Sequence, residues 1–167
     1  RLKSVNINEN TDAVTALNRI LDRVKGTAQF VSLVHRFAVE SRYPELLDLA
    51  LANSNAQLGA DAVRVLLSNG QQDLIRKSLG SDKLETAVAA ADVLGLSADG
   101  RAPELLLPII NDADAPGELR RQAAQAAVSS RNGALKLLDQ AEKGELDDGL
   151  IQSIAARMHS SPQQDIR

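Results

Sequence analysis

The strongest constraint in this sequence is the spacing of its apolar residues, which follows the period of an α-helix along almost the whole chain. Leu17, Leu21 and Val24, for example, recur four and three residues apart and so share one face of a helix. From residue 11 onward, similar stripes are separated by short segments that contain Gly, Pro, Asn or Asp, and no strand-like alternation interrupts them. The pattern predicts an all-α chain of about ten helices.

These helices recur in pairs. Counted from the second helix, the leading helices are predicted to begin near residues 27, 55, 82, 116 and 147, roughly every thirty residues. One such pair cannot bury its apolar stripe alone, whereas stacked pairs share a continuous core. Aromatic residues make up only 2% of the chain, which suits thin, closely packed layers of Ala and Leu. We predict a right-handed α-solenoid of HEAT-like repeats over residues 11–167, after an N-terminal linker over 1–10; an irregular or up-down helical bundle is the alternative.

Local signals predict where individual helices begin and end. Ser54-x-x-Gln57 and Asp82-x-x-Glu85 have the form of capping boxes and predict the starts of the fourth and sixth helices. Gly95 is expected to mark the end of the sixth helix, and Asn132-Gly133 to form the turn into the ninth. Asp147 is expected to cap the tenth helix, because its surroundings lack the alternating ligands of a calcium loop.

The composition argues against several functions. With 19 basic and 22 acidic residues, the net charge of −3 provides no general attraction for nucleic acid. There is no cysteine for a disulfide, a thiolate metal site or CxxCH haem attachment, and His35 and His159 are far apart in the sequence, on distant repeats of a solenoid. No apolar run approaches the roughly 18 residues that span a bilayer. We therefore expect no metal, no cofactor, no nucleic-acid partner and no membrane insertion.

Three stretches of the sequence resemble one family. They are Ala16-Leu17-Asn18-Arg19-Ile20-Leu21, Arg42-Tyr43-Pro44-Glu45-Leu46-Leu47 and, above all, Lys143 to Arg167. This combination is similar to the HEAT-repeat region of large bacterial multidomain proteins, the membrane-bound dehydrogenases and haem-binding c-type cytochromes. The resemblance implies that the chain is a piece of a longer redox-associated protein, between a β-propeller and a cytochrome domain, in an extracytoplasmic location. The CxxCH motif and both flanking domains of the family are missing from this sequence, so no catalytic or haem residue carries over.

The function that these observations favour is that of a non-catalytic scaffold, spacer or protein-interaction module. Its partner would be another protein or a neighbouring domain of the same chain, bound on a concave face that we expect the trailing helices to line. Helix geometry suggests exposed positions on those helices as the partner-binding candidates: Glu45, Asp48, Arg76, Lys77, Lys136, Asp139 and Gln140.

A HEAT-like enzyme is the alternative from another class, since bilin lyases and alkylpurine DNA glycosylases use such folds. A glycosylase needs a basic groove with aromatic side chains to hold DNA. This chain has no Trp, one Tyr and a negative net charge, which argues against that reading. A lyase would need a deep cavity, and the sequence neither provides nor excludes one.

Overall fold

The structure, a computed structural model, describes residues 11–159 of the chain. The proposed linker over 1–10 and the end of the chain from residue 160 lie outside the described residues. Between residues 11 and 159 there are ten α-helices and no strand, which confirms the all-α prediction. The helices are α1 (Thr11–Arg23), α2 (Ala28–Phe37), α3 (Tyr43–Ala52), α4 (Gln57–Ser68), α5 (Gln72–Leu79), α6 (Leu84–Ser97), α7 (Ala102–Asn111), α8 (Gly117–Val128), α9 (Arg131–Glu142) and α10 (Asp148–His159).

The helices lie in two rows. The even-numbered helices α2, α4, α6, α8 and α10 pack side by side in chain order, and we call them the even row. The odd-numbered helices α3, α5, α7 and α9 follow one another more loosely in a second layer, the odd row. The apolar core is one continuous cluster that extends from Leu17 in α1 to Ile154 in α10.

Three of the helical hairpins have a different register from the one that we predicted. The sequence suggested pairs that start with an even-numbered helix, such as α2 with α3 and α4 with α5. In the structure α3 packs on α4, α5 on α6 and α7 on α8 more extensively than α2 packs on α3, α4 on α5 and α6 on α7. Toward the end of the stack α9 packs on α8 more than on α10, as the predicted pairing has it. The prediction was wrong for the first three hairpins because periodicity shows that two neighbouring helices have apolar faces but does not show which neighbour each face covers.

Two helix starts confirm or correct the capping predictions. Asp147 caps α10, since its Oδ1 accepts a hydrogen bond from the Leu150 N–H at 2.9 Å. Ser130, not the Asn132-Gly133 pair, begins α9: its Oγ accepts from the Gly133 N–H at 3.1 Å, and both residues of that pair lie inside the helix. The expected turn at Asn132-Gly133 was therefore wrong.

Both predicted capping boxes were also wrong. The turn after α3 continues to Ala56, whose N–H donates to the Asn53 carbonyl at 3.0 Å, so α4 starts too late for Ser54 to cap it. Before α6 the hydroxyl of Ser81 accepts from the Lys83 N–H at 3.2 Å, and no side chain caps the helix. Gly95, expected to end α6, lies inside this helix, where it faces α8.

Candidate binding groove

One feature that could hold a ligand is an open groove of about 510 Å³ on the even row. We call it the central groove. The turn before α4 forms one wall, α6 and α8 form the floor, and α10 reaches the far side. Its lining mixes carboxylate, amide, hydroxyl, guanidinium and apolar groups; the residues that matter below are Ser54, Asp92, Leu96, Gln122, Gln125 and Arg157.

Two hydrogen bonds connect neighbouring helices along this groove. The Nε2 of Gln122 in α8 donates to the Oδ1 of Asp92 in α6. One turn further along α8, the Nε2 of Gln125 donates to the Oγ of Ser153 in α10 at 2.9 Å. Both glutamines are half-buried. An amide group has two N–H donors and two acceptor lone pairs, so each glutamine keeps hydrogen-bonding capacity beyond the bond that holds it in place.

Asp92 is the titratable group with a perturbed pKa in this groove. Burial raises the pKa of its carboxyl above the ordinary range, and the hydrogen bond from Gln122 partly opposes that effect. In its ionised form this carboxylate would be stabilised by a hydrogen-bond donor from a ligand.

The central groove continues into a second depression that shares Ser54 and Asp92 with it. This depression also has Lys83, Glu85 and Glu118 in its lining, so charged groups of both signs surround it. In the central groove itself Leu96 is 42% exposed, one of few large apolar side chains in contact with solvent. The combined surface is therefore elongated, polar and amide-rich, with an apolar contact point.

None of the seven residues predicted as partner-binding lies in this groove. They occupy three helices of the odd row, α3, α5 and α9, and the structure does not gather them into one site. Glu45 already forms two ion pairs within the chain. Its Oε1 lies 2.7 Å from the Nη1 of Arg42, and its Oε2 lies 3.0 Å from the Nζ of Lys25. Arg42 also binds Asp22 at 2.8 Å, so this network ties α3 to α1.

Three more of the seven residues have partners within the chain. Arg76 pairs with Asp73 and Asp139 with Lys143, each at 2.6 Å. Gln140 donates to the Oδ1 of Asn111 at 3.2 Å and thereby links α9 to α7. Within residues 11–159, the side chains of the remaining three have no hydrogen bond or ion pair: Asp48, Lys77 and Lys136.

Sequence reasoning missed Asp92, Gln122 and Gln125. One signal could have found them, because each is a polar residue set into an Ala-rich helical stripe that otherwise faces neighbouring helices. Polar groups on such a stripe need partners when they are buried, and a glutamine about thirty residues after an aspartate would meet it across the repeat.

Other kinds of site are not found in the described part of the chain. No three His, Cys, Asp or Glu side chains of residues 11–159 converge in a way that could hold a metal ion. The described helices are also too short or too polar for any of them to cross a bilayer. Comparison with models of protein families, with curated proteins and with solved structures gave no match.

Proposed function

We propose that this chain is a HEAT-like α-solenoid that acts as a non-catalytic scaffold and binds a polypeptide partner along its even row. The repeat spacing of about thirty residues and the two rows of consecutively packed helices support the solenoid. In such a stack each repeat contacts only its neighbours, which leaves long faces of the stack open to a partner.

The packing favours a concave face on the even row. Helices α6 and α8 approach one another closely at Gly95 and Ala126, and the even-numbered helices pack on one another more extensively than the odd-numbered helices do. A two-layered stack bends toward the layer with the shorter spacing. We therefore propose that the concave surface is the one that carries the central groove, opposite to the trailing helices on which the sequence-based candidates lie.

The ligand class that fits the groove is an extended polypeptide segment. An extended chain presents N–H and C=O groups that have no internal partner, and side-chain amides can pair with both. Gln122 and Gln125 offer such amides one helical turn apart, already held in place by Asp92 and Ser153. This pair of fixed glutamines is the observation that carries the proposal, and the exposed Leu96 adds a contact for an aliphatic side chain of the ligand.

The partner segment belongs either to another protein or to a neighbouring domain of the parent chain. The resemblance to the HEAT-repeat region of bacterial membrane-bound dehydrogenases and c-type cytochromes favours the second source, in an extracytoplasmic, redox-associated protein. The reading frame around this segment tests that placement: a CxxCH motif downstream and a propeller upstream support it, and their absence contradicts it.

Selection from a phage-displayed library of random peptides tests the binding function. Peptides selected on the folded 167-residue chain are titrated by fluorescence anisotropy against Gln125→Ala and against Lys77→Ala, an exposed control in the odd row. We expect Gln125→Ala to weaken binding about tenfold and Lys77→Ala to leave it unchanged. Selected peptides that respond to Lys77→Ala but not to Gln125→Ala would place the interaction on the other face and refute the groove.

A further inference from the structure

A separate cleft lies on the even row between α2 and α4, and it shares no residue with the central groove. We call it the α2–α4 cleft; its polar groups are those of Ser32 and His35 on α2 and of Asp61 and Arg64 on α4. Its volume is about 280 Å³, close to the lower end of the volumes that small-molecule sites have. Helix α2 packs on α4 less extensively than α4 packs on α6, and this looser step leaves the cleft open.

The floor of the α2–α4 cleft is apolar. Val31 of α2 and Val65 of α4 are buried, and Leu58 of α4 is half-buried beside them. An apolar floor with a small number of placed polar groups is the usual composition of a ligand site. A ligand that fits this lining has a short aliphatic part and one polar head group.

Arg64 is held in place while part of its guanidinium stays unused. Its Nε donates to the Ser97 carbonyl at 2.9 Å, and its Nη1 donates to the Oδ1 of Asp61 at 2.6 Å. The Nη2 has no acceptor within residues 11–159. Because two of its nitrogens are already bound, the side chain loses little further conformational freedom when the third donates to a ligand.

The unused hydrogen-bonding groups of the cleft are mostly donors. Asp61 already accepts two hydrogen bonds at its Oδ1, one from Arg64 and one from the Nε2 of Gln57 at 2.8 Å, so only its Oδ2 is left. The side chains of Ser32 and His35 have no partner within residues 11–159, and each can donate. An anionic head group therefore meets free N–H and O–H groups, whereas a cationic one meets a carboxylate that is already paired.

We propose that the α2–α4 cleft binds a carboxylate that carries a short aliphatic group. The carboxylate accepts hydrogen bonds from the Nη2 of Arg64 and the imidazole of His35, and the aliphatic group packs on Val31, Leu58 and Val65. Hydrogen bonds between charged groups are about twice as strong as those between neutral ones. The same chemistry occurs in a free aliphatic acid and at the C-terminus of a polypeptide that ends in an aliphatic residue. This site lies apart from the central groove and does not rest on the peptide binding proposed there.

NMR titration of the isotope-labelled 167-residue chain tests the head group. Isovalerate, isovaleramide and isoamylamine share a branched aliphatic group and carry an anionic, a neutral and a cationic head, respectively. We expect isovalerate to shift the backbone amide signals of Ser32, His35 and Arg64 saturably. Isovaleramide should bind about tenfold more weakly, and isoamylamine should leave these signals unchanged. An amine that binds as tightly as the acid would overturn the proposal.

Substitutions in the cleft test the residues that hold the carboxylate. His35→Ala and Arg64→Lys should each weaken isovalerate binding about fivefold or more. His35 is exposed, so its replacement should leave the helical circular dichroism unchanged, and lysine keeps the charge of Arg64 without its planar geometry. Arg121→Ala is the matched control, because it removes an exposed cation from α8 of the same row and should bind isovalerate like the unmodified chain. Equal binding by all three variants would mean a general attraction between charges and would refute the site.

A pair of peptides separates the two sources of the carboxylate. Acetyl-Ala-Ala-Leu is titrated with a free C-terminus and with an amidated one. Tighter binding of the free acid than of isovalerate, with loss of binding on amidation, supports a polypeptide C-terminus as the ligand. Binding of isovalerate but of neither peptide supports a small aliphatic acid. If neither isovalerate nor the free peptide shifts the signals of the cleft saturably, or if amidation makes no difference to a peptide that binds, the proposal is wrong.

Discussion

Gly95 of α6 lies so close to α8 that a Cβ added to it would stand 2.8 Å from the Cα of Ala126. Cβ atoms essentially never come so near to another backbone atom, so any side chain at residue 95 must push the two helices apart. The contact lies beneath the central groove and sets the distance between the helices that carry Asp92 and Gln122.

Gly95→Ala is therefore expected to destabilise the fold, although alanine usually favours a helix. Overpacking at a rigid contact costs about 1–3 kcal/mol, more than the helix propensity of alanine returns. Urea unfolding followed by circular dichroism measures the change in the free energy of unfolding. Gly80→Ala is the control, since the nearest atom to its added Cβ is 3.5 Å away, and it should stay close to the unmodified chain. Equal stability of the two variants would contradict the close contact.

The same residue shows what the sequence could predict and what it could not. Helical periodicity is a local property, and it predicted the ten helices. The sequence predicts a helix end at Gly95 because glycine commonly occupies that place. Its actual role depends on a helix about thirty residues further along the chain, which no local pattern contains.

The candidate site could not be predicted from the sequence for a similar reason. Helix geometry predicts charged residues such as Glu45 at the surface, but whether they are free depends on distant partners. In this chain Lys25 and Arg42 already bind Glu45. The glutamines of the central groove belong to helices that look like ordinary core helices, and only the packing of the even row places them at a surface.

Arg101 connects two repeats through the end of α4. Its Nη1 donates to the Leu67 carbonyl in the last turn of that helix, and its Nε and Nη2 each bind Asp99 at 2.8 Å. Arg101→Ala should lower the free energy of unfolding by about 1–3 kcal/mol, because it removes three charge-assisted hydrogen bonds. Arg101→Lys should recover only part of this, since an ammonium group lacks the planar geometry that serves both partners. A lysine variant as stable as the arginine chain in urea would show that the geometry does not matter.

The contribution of this contact should also depend on pH. Arg101 lowers the pKa of the Asp99 carboxyl in the folded chain, chiefly through the hydrogen bonds between the two side chains. A lowered pKa means that the stabilisation is complete above the unfolded pKa of Asp99 and is lost as the pH falls through its folded value. The difference in free energy of unfolding between the unmodified chain and Arg101→Ala should decrease as the pH falls from the unfolded to the folded pKa of Asp99. If this difference stays constant down to the lowest pH measured, the contact with Asp99 is not what makes Arg101 stabilising.

Glu45 and Asp48, both proposed from the sequence as partner-binding residues, should behave differently. Glu45→Gln weakens the ion pairs of Glu45 with Arg42 and Lys25, and the free energy of unfolding should fall by about 1 kcal/mol. Asp48 is exposed and has no side-chain partner within residues 11–159, so Asp48→Asn should change stability by less than about 0.5 kcal/mol. Thermal unfolding of the two variants side by side makes the comparison. Equal effects would mean that the network around Arg42 contributes nothing.

Asp92→Asn is expected to stabilise the chain at neutral pH. Burial raises the pKa of Asp92 in the folded chain, so between the unfolded and folded pKa values the folded state holds a proton that the unfolded state has lost. The free energy of unfolding contributed by this group therefore falls as the pH rises through that window. An asparagine carries no charge, and its Oδ1 can still accept the hydrogen bond from Gln122. The melting temperature of Asp92→Asn should exceed that of the unmodified chain at pH 7, and the difference should vanish below the unfolded pKa. A melting temperature that drops at pH 7 would show that the ionised carboxylate stabilises the groove and that its burial does not dominate.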